Sequence, residues 1–275
     1  MKIFAIIQAR KDSSRFPNKV LLKLCELTVL EHVIFRVLKC KLIDIIILAT
    51  TDRKEDDEIA RIGKKWEIEV FRGSKEPLTR FFEVAKIYKP EHIIRIKADC
   101  PALDPMLIDE AINSHIFKNA HYTTNTLQRT YPLGYDVEIF SYNALEWLYF
   151  NSHHPVEREH ISLKFVNFCP FPINHIVLKT YKNNNLSHLR LTIDYKEDYK
   201  VMQILFDAFY NKNPFFGLKE VKKFAETYPE IFEINSQIPA NAGILKDLTK
   251  KKRSQIIKHK TCSQIKKTKR VGDKT

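Results

Sequence analysis

A basic loop directly after the first apolar segment of the chain carries side chains suited to binding an anion. The segment reads IFAIIQ, and the loop that follows reads ARKDSSRFPNK, without a glycine. Arginine and lysine supply positive charge, and serine hydroxyls and the N–H groups of a tight loop supply donors, as in a phosphate site. The candidate residues are Arg10, Ser13, Ser14, Arg15 and Lys19. The P-loop pattern GxxxxGK[ST] and the dinucleotide pattern GxGxxG are absent from it, and the alternative is a solvated basic loop.

Two aspartates follow apolar segments, where a metal site would form in an open α/β sheet. Asp99 follows the run Ile93–Ile96, and Asp194 follows the run HLRL. Because ligands bind outside the carboxyl ends of the strands in such sheets, we expect both carboxylates at one edge. Carboxylate oxygens together with triphosphate oxygens suit Mg²⁺, so these two residues are predicted to hold it. The alternative for Asp194 is that it caps the helix that follows.

A second pair of acidic residues and a histidine-rich segment lie further along the chain. Asp136 and Glu138 are two apart in the predicted strand GYDVEIFS, so they are expected to share one face. There they could bind sugar hydroxyls or form ion pairs with Arg158. The segment HHPVEREH matches no metalloprotease motif, and Pro155 interrupts a common helical face. We expect an ion-paired polar segment there rather than a metal site.

An alternation of strands and helices must position these residues. The apolar runs of the first hundred residues are Ile3–Gln8, Ile45–Thr50, Glu69–Phe71 and Ile93–Ile96. Segments with helical periodicity lie between them, at Val29–Leu38, Glu55–Trp66 and Leu78–Tyr88. Isoleucine-rich strands that alternate with helices predict the α/β class, with a parallel sheet covered on both faces.

The pattern changes after Asp99 and predicts a mixed sheet. The helices predicted there are Pro105–Phe117, Ser141–Phe150, Tyr199–Tyr210 and Leu218–Tyr228. Asp104 and Ser141 are placed to cap the first two. The predicted strands read AHYTTN, GYDVEIFS, HIVLKTY and HLRLTID.

Composition indicates one folded domain and a basic tail. Five cysteines without a CxxC pair argue against a disulfide framework or a zinc site. No apolar run reaches membrane-spanning length, so we expect a cytoplasmic protein without membrane insertion. Of the net charge of +13, residues 246–275 contribute +10. We predict a domain over residues 1–235 and a disordered basic tail over residues 236–275; the alternative is a tail that binds RNA or an anionic membrane surface.

Seven blocks of the sequence, in order, resemble the CTP-dependent sugar cytidylyltransferases. The blocks are IIQARKDSSRFPNKVLLKL with VLEHVIFR, ILATTD, VFRGS, IIRIKADCPALDPMLID, YPLGYDVEIFS, PVEREHIS and LRLTIDYKEDY. They cover residues 1 to about 230 and are similar to the acylneuraminate and 3-deoxy-manno-octulosonate enzymes. The resemblance is closest to the branch called spore coat polysaccharide biosynthesis protein F.

The resemblance implies a fold, a reaction and a set of roles. The fold would be a three-layer α/β/α sandwich with a mixed, mostly parallel sheet, like that of the nucleotide-diphospho-sugar transferases. The reaction would join CMP from CTP to an acidic sugar and release pyrophosphate, and a homodimer is implied. Arg10, Ser13, Ser14, Arg15 and Lys19 match the triphosphate loop, with Arg10, Lys19 and Asp99 catalytic. Arg72 matches an arginine near the nucleotide, Asp99 and Asp194 match the metal ligands, and Asp136 and Glu138 fall in the sugar-pocket block.

The chain departs from the family pattern at three positions of the matched blocks. Asp12 and Asn18 stand where the family loop usually carries glycine, and Lys97 stands where a small or uncharged residue is usual. One alternative function is a metal-dependent glycosyltransferase of related fold; such enzymes usually carry a DxD motif, whereas Asp99 is followed by Cys-Pro. The other is a catalytically impaired nucleotide-binding protein with an RNA-binding tail.

Overall fold

The structure, a computed structural model, describes residues 1–177 and 185–249 of the chain. The strands are β1 (Ile3–Gln8), β2 (Lys23–Leu24), β3 (Leu27–Thr28), β4 (Ile45–Thr51), β5 (Glu69–Gly73), β6 (His92–Lys97), β7 (Tyr122–Thr124), β8 (Glu138–Ser141) and β9 (Ile173–His175). The helices are α1 (Val29–Val37), α2 (Asp57–Lys65), α3 (Pro77–Tyr88), α4 (Pro105–Phe117), α5 (Tyr142–Asn151), α6 (Pro155–Glu159), α7 (Leu163–Asn167), α8 (Lys196–Phe209), α9 (Leu218–Thr227) and α10 (Pro229–Glu233).

Seven strands form one mixed sheet in the order β5-β4-β1-β6-β8-β7-β9. Strands β5, β4, β1 and β6 are parallel, β8 is antiparallel to both of its neighbours, and β7 is parallel to β9. The four parallel strands are the four apolar runs of the first hundred residues. The carboxyl ends of β1 and β6 therefore lie side by side, with Gln8 paired to Lys97.

The strands are apolar on both faces because helices cover both sides of the sheet. Alternate side chains of β1 enter two separate clusters: Ala5 and Ile7 pack with α1, α4 and α8, and Phe4 and Ile6 pack with α3 and α5. This is the three-layer α/β/α sandwich with a mostly parallel sheet that the sequence predicts. The predicted caps are also confirmed, since Asp104 accepts from the N–H of Met106 and Ser141 accepts from the N–H of Ala144.

Two predicted strands differ from the structure. The segment HLRLTID forms an isolated bridge between Leu133 and Arg190 instead of a strand, although the N–H of Leu191 still donates to the carbonyl of Leu133. Strand β9 ends at His175, and most of the predicted strand HIVLKTY lies outside the described residues.

The predicted tail falls largely outside the part of the chain that the structure describes. The compact unit that carries the sheet ends at Gln237. Residues 242–249 are helical, and residues 250–275 lie outside the described range, so disorder of the tail stays a prediction. Among the described residues, no helix has the length and apolar character needed to cross a membrane.

Gly134 packs so closely against the backbone of Leu191, just before Asp194, that there is no room for a side chain. Its φ of +105° is in the region that favours glycine, and an added Cβ would lie 2.2 Å from the carbonyl oxygen of Leu191. We expect Gly134→Ala to lower the free energy of unfolding by about 2–4 kcal/mol, because the backbone must shift to relieve the overlap. Chemical denaturation followed by circular dichroism measures this.

Gly217→Ala is the matched control. Its φ is −118°, and the added Cβ would meet a carboxylate oxygen of Asp104 at 3.0 Å, a side-chain atom that can move. We expect a loss of about 1 kcal/mol or less. Equal losses for the two variants would contradict the assignment of strain to Gly134.

Candidate active site

The side chain of Lys19 joins the two predicted metal ligands at the carboxyl edge of the sheet. Its Nζ lies 2.5 Å from Oδ2 of Asp99 and 2.7 Å from Oδ1 of Asp194. Asn18, with a left-handed φ of 58°, precedes the short 3₁₀ helix Lys19–Leu21. Lys19 is buried, so this contact is shielded from bulk solvent. The structure thus brings together three residues that the sequence predicts for one site.

The charges of this cluster stabilise one another despite their burial. Burial disfavours the ammonium of Lys19, but the carboxylates of Asp99 and Asp194 outweigh it and raise the lysine pKa above its usual value. Burial would also raise the pKa of Asp194, but Lys19 and Arg15 outweigh that effect and hold the pKa well below its usual range. Arg15 forms a short ion pair with Asp194. Lys19 and Asp194 are therefore both charged at neutral pH.

Asp194 does not cap the helix that follows it. Asp198 in the first turn of α8 accepts from the backbone N–H groups of Asp194 and Tyr195, each at 2.9 Å. The carboxylate of Asp194 is therefore left to face Lys19 and Arg15. The capping alternative is wrong, because a residue one helical turn later takes that role.

A network of buried side chains that the sequence reasoning missed holds Asp194 in place. Arg190 donates to Asp198 at 2.7 Å and to Asp194 at 3.2 Å, and Asn235 donates to Asp198 at 3.0 Å. The i, i+4 spacing of Arg190, Asp194 and Asp198 is visible in the sequence. Asn235, however, lies 37 residues beyond Asp198 and leaves no local signal.

The carboxylates of Asp99 and Asp194 fit a divalent cation. Their oxygens converge on one atom, Nζ of Lys19, so they are close enough to share an ion. Mg²⁺ usually takes one or two protein carboxylates and completes its shell with phosphate oxygens and water. Within residues 1–177 and 185–249, no group of three or more histidine, cysteine, aspartate or glutamate residues could hold a metal. A cation held by these two carboxylates would need further ligands from substrate oxygens or water.

The other predicted nucleotide ligands of the opening loop differ in their partners and in their exposure. Arg10 forms an ion pair with Glu159 of α6 at 2.5 Å. The hydroxyl of Ser13 accepts from the N–H of Phe16, and Ser14 is exposed in the same loop. Arg10 thus carries an internal partner that a triphosphate would have to displace.

Arg72 lies on β5 and binds its own surroundings. It forms an ion pair with Asp57 at 2.6 Å and donates to the carbonyls of Thr51 and Arg53. Its contacts are with the end of β4 and with the residues that follow it, and its role at the nucleotide stays a prediction.

The predicted acidic pair lies on one face of the chain, and each carboxylate has its own partners. Strand β8 begins at Glu138, and Asp136 precedes it. Glu138 is paired with Arg95 at 2.8 Å and accepts from Tyr122, whereas Asp136 is paired with Lys97 and Arg129. Tyr135, Val137 and Ile139 all enter the cluster that α1, α4 and α8 form, so Asp136 and Glu138 lie on the opposite face, as the alternation predicts.

Neither carboxylate pairs with Arg158, the alternative partner considered from the sequence. Arg158 binds Glu76 at 2.6 Å, and its neighbour Glu159 binds Arg10. The segment HHPVEREH is therefore ion-paired, as predicted. Pro155 begins helix α6 rather than interrupting a helix.

Comparisons with known proteins identify the family. Residues 4–238 match the family model for cytidylyltransferases. An uncharacterised protein of Methanocaldococcus jannaschii is 34% identical over 239 residues, which cover 86% of this chain and 96% of that protein. The spore coat polysaccharide biosynthesis protein SpsF of Bacillus subtilis is 33% identical over 210 residues, which cover 74% of this chain and 86% of SpsF.

A solved structure has the same fold. The cytidylyltransferase from Leptospira borgpetersenii superposes with a TM-score of 0.79 at 30% sequence identity, covering 84% of this chain and 97% of that one. The sheet order, the strand-end site and the family match agree with one another. The chain therefore belongs to the cytidylyltransferase family of nucleotidyltransferases, with the nucleotide-diphospho-sugar transferase-like fold.

Proposed function

We propose that this protein transfers CMP from CTP to an acidic sugar and releases pyrophosphate, in the biosynthesis of a surface polysaccharide or glycan. The observation that carries the proposal is the buried contact of Lys19 with Asp99 and Asp194 at the carboxyl edge of the sheet. The likeness to SpsF, a protein named for polysaccharide biosynthesis, supports the pathway class.

The residues divide into a triphosphate cradle and a metal pair. Arg10, Ser13, Ser14, Arg15 and Lys19 would bind the triphosphate, with Arg72 toward the nucleotide. Asp99 and Asp194 would hold Mg²⁺. When bound there, the ion would supply positive charge to the phosphate oxygens.

Catalysis then rests on positioning and on charge. A sugar hydroxyl attacks the α-phosphorus, the new P–O bond forms, the bond to the departing pyrophosphate breaks, and the hydroxyl proton is released to water. The raised pKa of Lys19 keeps its ammonium charged at neutral pH, so that it can stabilise the charge on the phosphates. Arg190 and Asp198 fix the backbone and the carboxylate of Asp194, which reduces the reorganisation needed in the reaction.

A direct assay tests the proposal. The full chain is incubated with CTP, UTP, GTP or ATP, with MgCl₂ and a panel of acidic and neutral sugars, and pyrophosphate release is measured. We expect release with CTP and an acidic sugar. Activity with GTP or UTP in place of CTP, or with neutral sugars alone, would contradict the proposal; a homodimer and a cytoplasmic location stay separate predictions.

Replacing either predicted metal ligand should abolish turnover while preserving the fold. We expect Asp99→Asn and Asp194→Asn each to lower kcat by about two to four orders of magnitude, because an amide is a poorer Mg²⁺ ligand than a carboxylate. Asp207→Asn, the same change on an exposed residue of α8, should leave kcat unchanged. Near-normal turnover by the Asp99 variant would overturn the assignment of this carboxylate.

Lys19→Met tests whether the lysine both stabilises phosphate charge and competes with Mg²⁺ for the two carboxylates. We expect a loss of about two orders of magnitude in kcat together with tighter Mg²⁺ binding in the absence of CTP, because the ammonium no longer competes for the two carboxylates. Isothermal titration of MgCl₂ into the CTP-free protein measures the second effect. Lys86→Met on the exposed side of α3 is the control. Unchanged Mg²⁺ affinity in the Lys19 variant would show that the ammonium does not occupy the cation position.

A further inference from the structure

A second charged cluster lies on the same edge of the sheet and contains more positive than negative charge. Asp136 accepts from Lys97 at 2.5 Å through one carboxylate oxygen and from Arg129 at 2.6 Å through the other. The neighbouring pair of Arg95 and Glu138 is already neutral. One carboxylate therefore serves two cations, which leaves one positive charge in excess.

The carboxylate of Asp136 is buried in ion pairs, whereas the side chains of Lys97 and Arg129 are partly exposed to solvent. Only 6% of the Asp136 side chain is exposed, against 30% for Lys97 and 19% for Arg129. Although burial opposes ionisation, Lys97 and Arg129 outweigh it and hold the pKa of Asp136 well below its usual range. An anion that approaches from the solvent would thus meet two donors whose orientation Asp136 has already fixed.

The cluster stands beside the proposed reaction centre. Lys97 is the last residue of β6 and lies two residues before Asp99. Ile93, in the same strand, packs in the cluster with α3 and α5, so the side chain of Lys97 leaves the sheet on that face. A sugar bound within reach of Lys97 would therefore lie next to the proposed metal ligand.

We propose that Lys97 and Arg129, oriented by Asp136, bind the carboxylate of the sugar substrate. The inference rests on the proposed cytidylyl transfer and assigns to Lys97, the charged departure from the family pattern, the recognition of substrate charge. The triphosphate is the other anion in the reaction, but its predicted cradle has its own cations, Arg10, Arg15 and Lys19. Those cations pair with carboxylates other than Asp136.

The experiment tests each cationic side chain against substrates with and without a free carboxylate. Kinetic constants are measured for the wild type, Lys97→Gln, Lys97→Arg and Arg129→Gln, with 3-deoxy-manno-octulosonate and N-acetylneuraminate and with the methyl ester of each acid. Lys86→Gln, the same loss of charge on the exposed side of α3, is the control. CTP is held at saturation in one series and varied in another.

We expect Lys97→Gln and Arg129→Gln to raise KM for the acid by about tenfold or more, because a partly buried charge pair is lost. KM for CTP should change by less than about twofold, the ester should respond little to either variant, and Lys97→Arg should keep most of the affinity for the acid. The control should behave as the wild type.

Three results would overturn the inference. Equal effects on acid and ester would assign the cluster a purely structural role, and a rise in KM for CTP alone would assign it to the triphosphate. Wild-type turnover of neutral sugars but of neither acid would exclude carboxylate recognition. Absence of pyrophosphate release with every sugar would instead overturn the proposed function itself.

Discussion

The arrangement of the carboxyl edge of the sheet depends on one buried ammonium group that lies between two carboxylates. Lys19 is 80 residues from Asp99 and 175 residues from Asp194 in the sequence, yet it contacts both. The contact ties the loop after β1, the end of β6 and the segment before α8 into one unit. Without Lys19, Asp99 would lose its ion-pair partner, whereas Asp194 would keep Arg15 and Arg190.

The other cations predicted to bind substrate also form ion pairs with carboxylates of the protein. Arg10 binds Glu159, Arg15 binds Asp194, and Lys97 shares Asp136 with Arg129. In the absence of nucleotide, these pairs keep the cationic groups ordered and limit the repulsion between them. Under the proposed function, binding a triphosphate would exchange protein carboxylates for phosphate oxygens, so affinity would depend on the difference between two sets of ion pairs rather than on the number of new contacts.

The sequence predicts the strands and helices well because local residue patterns determine them. Apolar runs alternating with helical periodicity predict β1, β4, β5 and β6, and the end of the last of these strands predicts the position of Asp99. The position of Asp194 beside Asp99 is predicted for a partly wrong reason, since the preceding segment is not a strand. Its position comes from backbone hydrogen bonds of residues 189–193 to Leu133 and Asp99, which no periodicity reveals.

Side-chain partners were harder to predict because they depend on contacts between distant segments. Strand alternation places Asp136 and Glu138 on one face, but it does not reveal that Lys97 and Arg129 bind the first and Arg95 the second. The pairing of Arg158 with Glu76 likewise joins segments 82 residues apart in the sequence.

The opening loop shows how a chain with few glycines can still form a tight turn at the site proposed for the triphosphate. Asn18 adopts the left-handed conformation that glycine would otherwise supply, which asparagine tolerates better than most residues. Asp12, the other position where the family usually has glycine, is exposed and bonded to Lys75 and Arg53, whose hydrogen bonds lower its pKa. Its negative charge is thus held by two cations that are not part of the predicted cradle. The loop can therefore keep a carboxylate close to a triphosphate site without cancelling the charges of Arg15 and Lys19.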